Sequence, residues 1–122
     1  MSPRLACLLF LASAPALADS WPGVLVDSKC YASEERNVNP ADPTSTADRD
    51  MNLEVRYCSP SAKTKAFAVV RQDWSSLTFD AAGDAKAAEL VRKVGRKPYF
   101  SVVVTGERTK DTINVTSITE SK

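Results

Sequence analysis

The apolar positions fall into short alternating runs, one stretch of helical period and one polar gap. Val24 and Val26 alternate with Gly23, Leu25 and Asp27, so residues 21–27 read as a strand. Residues 28–50 carry Pro40, Pro43 and many Asp, Asn, Ser and Thr residues with few large apolar side chains, which predicts a long polar loop. Met51, Leu53, Val55 and Tyr57 then alternate strictly and suit a strand or extended segment leading into Cys58, after which Ser59-Pro60-Ser61 marks a turn. Residues 66–71 and 76–79 read as strands joined around Trp74. The period changes at Ala87, Leu90, Val91 and Val94, whose i, i+3, i+4, i+7 spacing gives one apolar helical face; Asp80 or Asp84 is the candidate N-cap, and Gly95 and Pro98 mark the end.

Residues 99–107 place Phe100, Val102 and Val104 on one face and Tyr99, Ser101, Val103 and Thr105 on the other, a β-branched pattern that helices disfavour. In residues 112–119, Ile113 and Val115 share a parity that Ile118 breaks, which predicts a bulge near Thr116 and Ser117. These two strands are expected to form a hairpin across the polar residues 107–110, with a loop longer than the tightest turns. The order is strand, long loop, strand, strand, helix, strand, strand. It predicts an all-β fold with one helix, a five-stranded OB-like Greek-key barrel of order β-β-β-α-β-β, whose closure removes sheet edges.

The segments Gly23-Val24-Leu25-Val26-Asp27-Ser28-Lys29-Cys30, Ala85-Lys86-Ala87-Ala88-Glu89-Leu90, Val104-Thr105-Gly106 and Asp111-Thr112-Ile113-Asn114-Val115-Thr116-Ser117-Ile118 resemble uncharacterised small exported bacterial proteins with an OB-like barrel. The resemblance implies that fold and export, and it brings no assigned catalytic residues. The stretch from Asn37 to Asp50 is longer than the group's pattern leads one to expect.

Export is also read from the N-terminus. Arg4, the short apolar run of residues 5–11 and the small-x-small site Ala16-Leu17-Ala18 have the order of a cleaved signal peptide. The run is too short to span a bilayer, and Cys7 stands at its start rather than after it, against lipoprotein cleavage. Residues 1–18 are therefore expected to be removed, leaving 19–122 as one periplasmic or secreted domain with a long polar loop at about 28–50 and no transmembrane segment. Loss of Arg4 leaves 15 basic against 15 acidic residues, and a net charge of zero argues against nucleic acid or an anionic membrane as partner. Lys63 and Lys65, and the cluster Arg92, Lys93, Arg96 and Lys97, read as solvated surface and as favourable charge at a helix C-terminus.

With Cys7 removed, Cys30 and Cys58 remain, and the chain has no histidine. An oxidising compartment makes a Cys30–Cys58 disulfide the default, worth about 3.6 kcal/mol for a loop of about 29 residues. A redox pair would more often be spaced Cys-x-x-Cys, and zinc would need more N or S ligands than the chain has. Calcium on Asp42, Asp48 and Asp50 would lack the glycine and terminal glutamate of an EF-hand loop, so neither metal nor cofactor is expected.

Three function classes follow. The first is a non-catalytic binding module for a small molecule or glycan, using residues 29–51, 67–71 and 74–79, with Tyr31, Tyr57, Arg71 and Trp74 as contacts; the competing reading makes Tyr57 core and Trp74 a half-exposed packing residue. The second is a structural or inhibitory partner of another envelope protein, presenting a disulfide-fixed loop. The third is a hydrolase using carboxylates such as Asp27, Glu34, Glu35 or Asp73, for which Glu34-Glu35 reads more simply as solvated charge; the chain shows no phosphate loop, nucleophile elbow or metal motif.

Overall fold

Five strands and three helices make up the computed structural model, which describes residues 18–35 and 47–121. They run β1 (Asp19–Asp27), α1 (Ser28–Glu35), α2 (Ala47–Tyr57), β2 (Phe67–Val70), β3 (Ser76–Phe79), α3 (Ala81–Val94), β4 (Ser101–Thr109) and β5 (Thr112–Glu120). The proposed leader lies outside these residues except for Ala18, as do Pro40, Asp42 and Pro43. Among the described residues no helix is long and apolar enough to cross a membrane.

The strands form one mixed sheet whose pairing closes into a ring, β1-β2-β3-β5-β4 and back to β1. Every pairing is antiparallel except β3 with β5. β1 serves two neighbours: residues 19–24 pair with β4 and residues 24–27 with β2. Inside the ring, Leu25, Phe67, Val69, Leu77, Phe79, Phe100, Val102, Val104, Ile113 and Val115 pack with Ala87 and Val91 of α3. The helix face read from the sequence is therefore the one that meets the core, with Leu90 and Val94 at its margin.

Two carboxylates pin the first turn of α3 to the sheet. Asp80 caps the helix, accepting from Gly83 N–H at 2.9 Å, and also accepts from Val115 N–H of β5 at 3.2 Å. Asp84 accepts from Phe67 N–H of β2 at 3.0 Å. Gly83 allows this close seating, because a Cβ there would lie 2.5 Å from Val115 Cγ2. The helix ends at Gly95, whose N–H bonds to Val91 O at 2.8 Å.

A second core lies outside the ring. Val26, Ala68 and Val70 present their side chains to Tyr31, Val55 and Cys58, so α1 and α2 cover the outer face of β1 and β2. Cys30 and Cys58 are joined in a disulfide with a Cα–Cα distance of 5.5 Å, tying α1 to the end of α2. Asp27 caps α1: Oδ1 accepts from Lys29 and Cys30 N–H, both at 3.1 Å, and Oδ2 accepts from Thr64 Oγ1 at 3.2 Å.

The structure corrects three expectations. The fold has three helices rather than one, and α1 with the start of α2 occupies both ends of the expected 28–50 loop. Residues 51–57 are helical, not extended: Val55 and Cys58 are buried three apart, while Leu53 and Tyr57, one turn apart, are exposed. Two periods coexist in that segment, and burial under the disulfide selects the helical one. The β4–β5 hairpin is also tighter than expected. Thr109 pairs with Thr112 across the two-residue turn Lys110-Asp111, with Lys110 at φ 57, because the exposed residues 107–109 continue the ladder. The bulge falls where the parity break puts it: Thr105 pairs with Ser117 and Gly106 with Val115, leaving Thr116 as the extra residue.

Two outcomes follow. Replacing both Cys30 and Cys58 with Ser should destabilise the protein by roughly 3 to 4 kcal/mol in urea unfolding, with hydrogen exchange rising first in α1 and α2 and not in β4 and β5. The second concerns Asp84, whose carboxyl is pushed above its ordinary 3.8, chiefly by burial and also by the nearby Asp80 charge. The folded protein thus holds this proton to higher pH than the unfolded chain, and stability is lost as pH rises through the raised value. Asp84→Asn keeps an acceptor for Phe67 N–H while removing the charge, so it should raise stability at pH 7 and flatten that slope; Asp84→Ala should lose about 1 to 2 kcal/mol. An Asn variant with an unchanged pH slope would refute the assignment.

Candidate functional site

A cleft of about 600 Å³ opens on the outer face of the ring, beside the helical cover. β1 contributes Pro22, Gly23 and Val24, β2 contributes Val70, the β2–β3 turn supplies Arg71, Gln72 and Trp74, and Tyr99 comes from the segment before β4. Gly23 lets β1 lie close against the end of β2. A Cβ there would lie 2.4 Å from Val70 O, so any other residue would push the two strands apart beneath the cleft.

Both aromatic side chains are positioned by their surroundings. Trp74 has φ 71, a left-handed conformation that is unfavourable for a bulky residue, typically by about 1 to 3 kcal/mol. It is held there from two sides: its N–H donates to Arg71 O at 2.9 Å, and its carbonyl accepts from Tyr31 Oη at 2.8 Å. Its ring packs at the edge of the second core. Tyr99 donates from Oη to Asn52 Oδ1 at 2.7 Å, and the Arg56 guanidinium lies 5.5 Å from its ring centroid. Both partners belong to α2, so the disulfide-tied cover orients one wall of the cleft and, through Tyr31, the other.

Of the four contact residues expected from the sequence, Arg71 and Trp74 line the cleft. Tyr31 does not: it is 1% exposed and acts from behind, on the Trp74 carbonyl. Tyr57 is 71% exposed on α2 and belongs neither to the cleft nor to the core. Tyr99 was not among the candidates. Its outward direction is legible from its parity opposite Phe100, but its meeting with β1 and Trp74 depends on ring closure.

The carboxylates considered for hydrolysis are not gathered at the cleft. Asp27 is the α1 cap. Asp73 is exposed and accepts from Ser75 N–H and Oγ–H; the Ser75 bonds, with a smaller contribution from the Arg71 charge, hold its carboxyl below the ordinary value. Glu34 and Glu35 end α1. Among the described residues no group of three or more His, Cys, Asp or Glu residues is placed to hold a metal ion; of the residues considered for calcium, Asp42 lies outside the described residues and Asp48 and Asp50 fall in the first turn of α2. No family model, curated protein or solved structure matches the chain.

The backbone at Trp74 gives a direct check on the site. At φ 71 glycine is relaxed and alanine is strained, so Trp74→Gly should be more stable than Trp74→Ala by about 0.5 to 1 kcal/mol, the reverse of the usual order. Alanine proving the more stable of the two in urea unfolding would mean that the turn relaxes in solution.

Proposed function

We propose that the protein is an exported OB-like Greek-key barrel that binds a ring-shaped ligand, a small molecule or one unit of a glycan, between Trp74 and Tyr99 without transforming it. One observation carries the reading: two aromatic side chains from distant parts of the chain flank a cleft of about 600 Å³, and one of them is kept in a costly backbone conformation by hydrogen bonds behind it. Flat apolar walls suit stacking on a sugar or aromatic ring, and walls held in place before binding lose less entropy on binding. The barrel part of the reading is supported by the ring order, the parallel β3–β5 pairing and the helix between β3 and β4. OB-folds commonly bind ligands near strand 2, strand 3 and the connection after strand 1, and this cleft shares with that surface the end of β2 and the β2–β3 turn. Export is supported by the N-terminal pattern and is compatible with the disulfide.

A second reading, a contact module for another envelope protein, is favoured by Leu53 and Tyr57, which stand 55% and 71% exposed one turn apart on α2.

Titration of the full chain, expressed in a secreting host and followed by amide NMR, separates the two. Phenol and methyl β-glucoside serve as neutral ring probes. At least one should give saturable shifts at Val24, Val70, Gln72 and the Trp74 indole N–H, and Trp74→Ala should abolish them. Ring probes that leave these signals in place, combined with a protein cross-linked through Leu53 and Tyr57, would turn the assignment to the second reading.

A further inference from the structure

The cleft has a charge character that its aromatic walls do not explain. Among the described residues that line it, Arg71 is the only charged one, and no carboxylate stands with it. Among the described residues the Arg71 Nε, buried against the protein, has no hydrogen-bond partner, and Arg71 forms no ion pair. Asp73 is near enough for the Arg71 charge to favour its ionised form, yet its Oδ1 is engaged by Ser75 and it does not line the cleft. A second cation, Arg56, lies beside Tyr99 at the other wall. A half-buried guanidinium with no carboxylate beside it in the cleft is only partly solvated, a state that an incoming anion relieves. A guanidinium carries paired N–H donors whose geometry matches the two oxygens of a carboxylate.

We infer that the ligand of this cleft is a ring carrying a carboxylate, an aromatic acid or a sugar acid, with the ring between Trp74 and Tyr99 and the carboxylate on Arg71. The inference rests on the cleft being the binding site, and it adds the charge of the ligand and the residue that reads it. The ring supplies stacking, while Arg71 supplies discrimination, because a neutral ring leaves its charge without a counter-ion. No proton or covalent bond changes place in this recognition.

The test compares acids with matched neutral rings on the full chain: benzoate against benzamide, and glucuronate against methyl β-glucoside, by NMR titration at low salt. At least one acid should bind roughly tenfold or more tightly than its neutral partner, with shifts centred on Arg71, Gln72 and Trp74. Arg71→Gln, checked for an unchanged urea midpoint, should bring the pair to near equality, and Arg71→Lys should fall between, keeping the charge without the fork. Preference for benzoate alone assigns an aromatic acid, preference for glucuronate alone a sugar acid, and preference for both a site dominated by the carboxylate. Equal binding of acid and neutral ring at the cleft would overturn the inference and leave the cleft as a neutral ring site. Acid shifts confined to Arg92, Lys93 and Arg96 would overturn it in favour of diffuse attraction to the end of α3. Silence of the cleft toward all four probes would remove both the inference and the binding site on which it rests.

Discussion

Because β2 carries apolar side chains on both faces, Phe67 and Val69 inward and Ala68 and Val70 outward, a single protein layer cannot bury it. The ring and α3 cover one side. The other side needs a separate cover, and the chain supplies it between β1 and β2 from sequence that is largely polar. Only a few residues of that cover are apolar and buried, Tyr31, Val55 and Cys58 among them, so its own apolar contact is thin. The disulfide compensates for this by restricting the unfolded chain. Asp27 adds a fixed starting direction for α1, and its N–H donates to Cys58 O at 2.8 Å, so the same residue holds both ends of the cover against β1.

The cleft lies at the margin of that cover. Its β1 and β2 residues belong to the ring, whereas Asn52 and Arg56 of α2 brace Tyr99 and Tyr31 of α1 fixes the Trp74 carbonyl. A buried tyrosine hydroxyl needs an acceptor, and the carbonyl of a residue in the left-handed region provides one. The stability of the cover and the shape of the cleft are thus linked through these contacts. Loosening the cover would free Trp74 to relax, and the cleft would lose its fixed width before the ring unfolded.

The ring strands were legible in the sequence because each has one strong signal: alternation at Phe100, Val102 and Val104, an uninterrupted apolar run at residues 67–70, and a parity break at the Thr116 bulge. The helix α3 was legible for the same reason, with its cap at Asp80 and its end at Gly95. The cover was not. In α2 the alternation of Leu53, Val55 and Tyr57 competes with the helical pair Val55 and Cys58, and burial under a disulfide decides between the two periods. In α1 the residues Ser28–Glu35 are largely polar and carry no apolar face of helical period, so their composition read as loop. Arg71 and Trp74 could be proposed because the OB-like reading puts a ligand surface at strands 2 and 3, and an aromatic near an arginine can stack a ring. Tyr99 could not be joined to them, since it lies 25 positions beyond Trp74 and they meet only after the ring has closed.

Ring closure also decides what kind of partner the sheet can accept. Each of the five strands has a neighbour on both sides for part of its length, so the sheet offers no whole free edge along which a peptide could add itself as a sixth strand. Recognition by backbone ladder is tolerant of sequence, because every peptide carries the same N–H and C=O groups. Without such an edge, any recognition by this protein would rest on the side chains that stand on its outer surface.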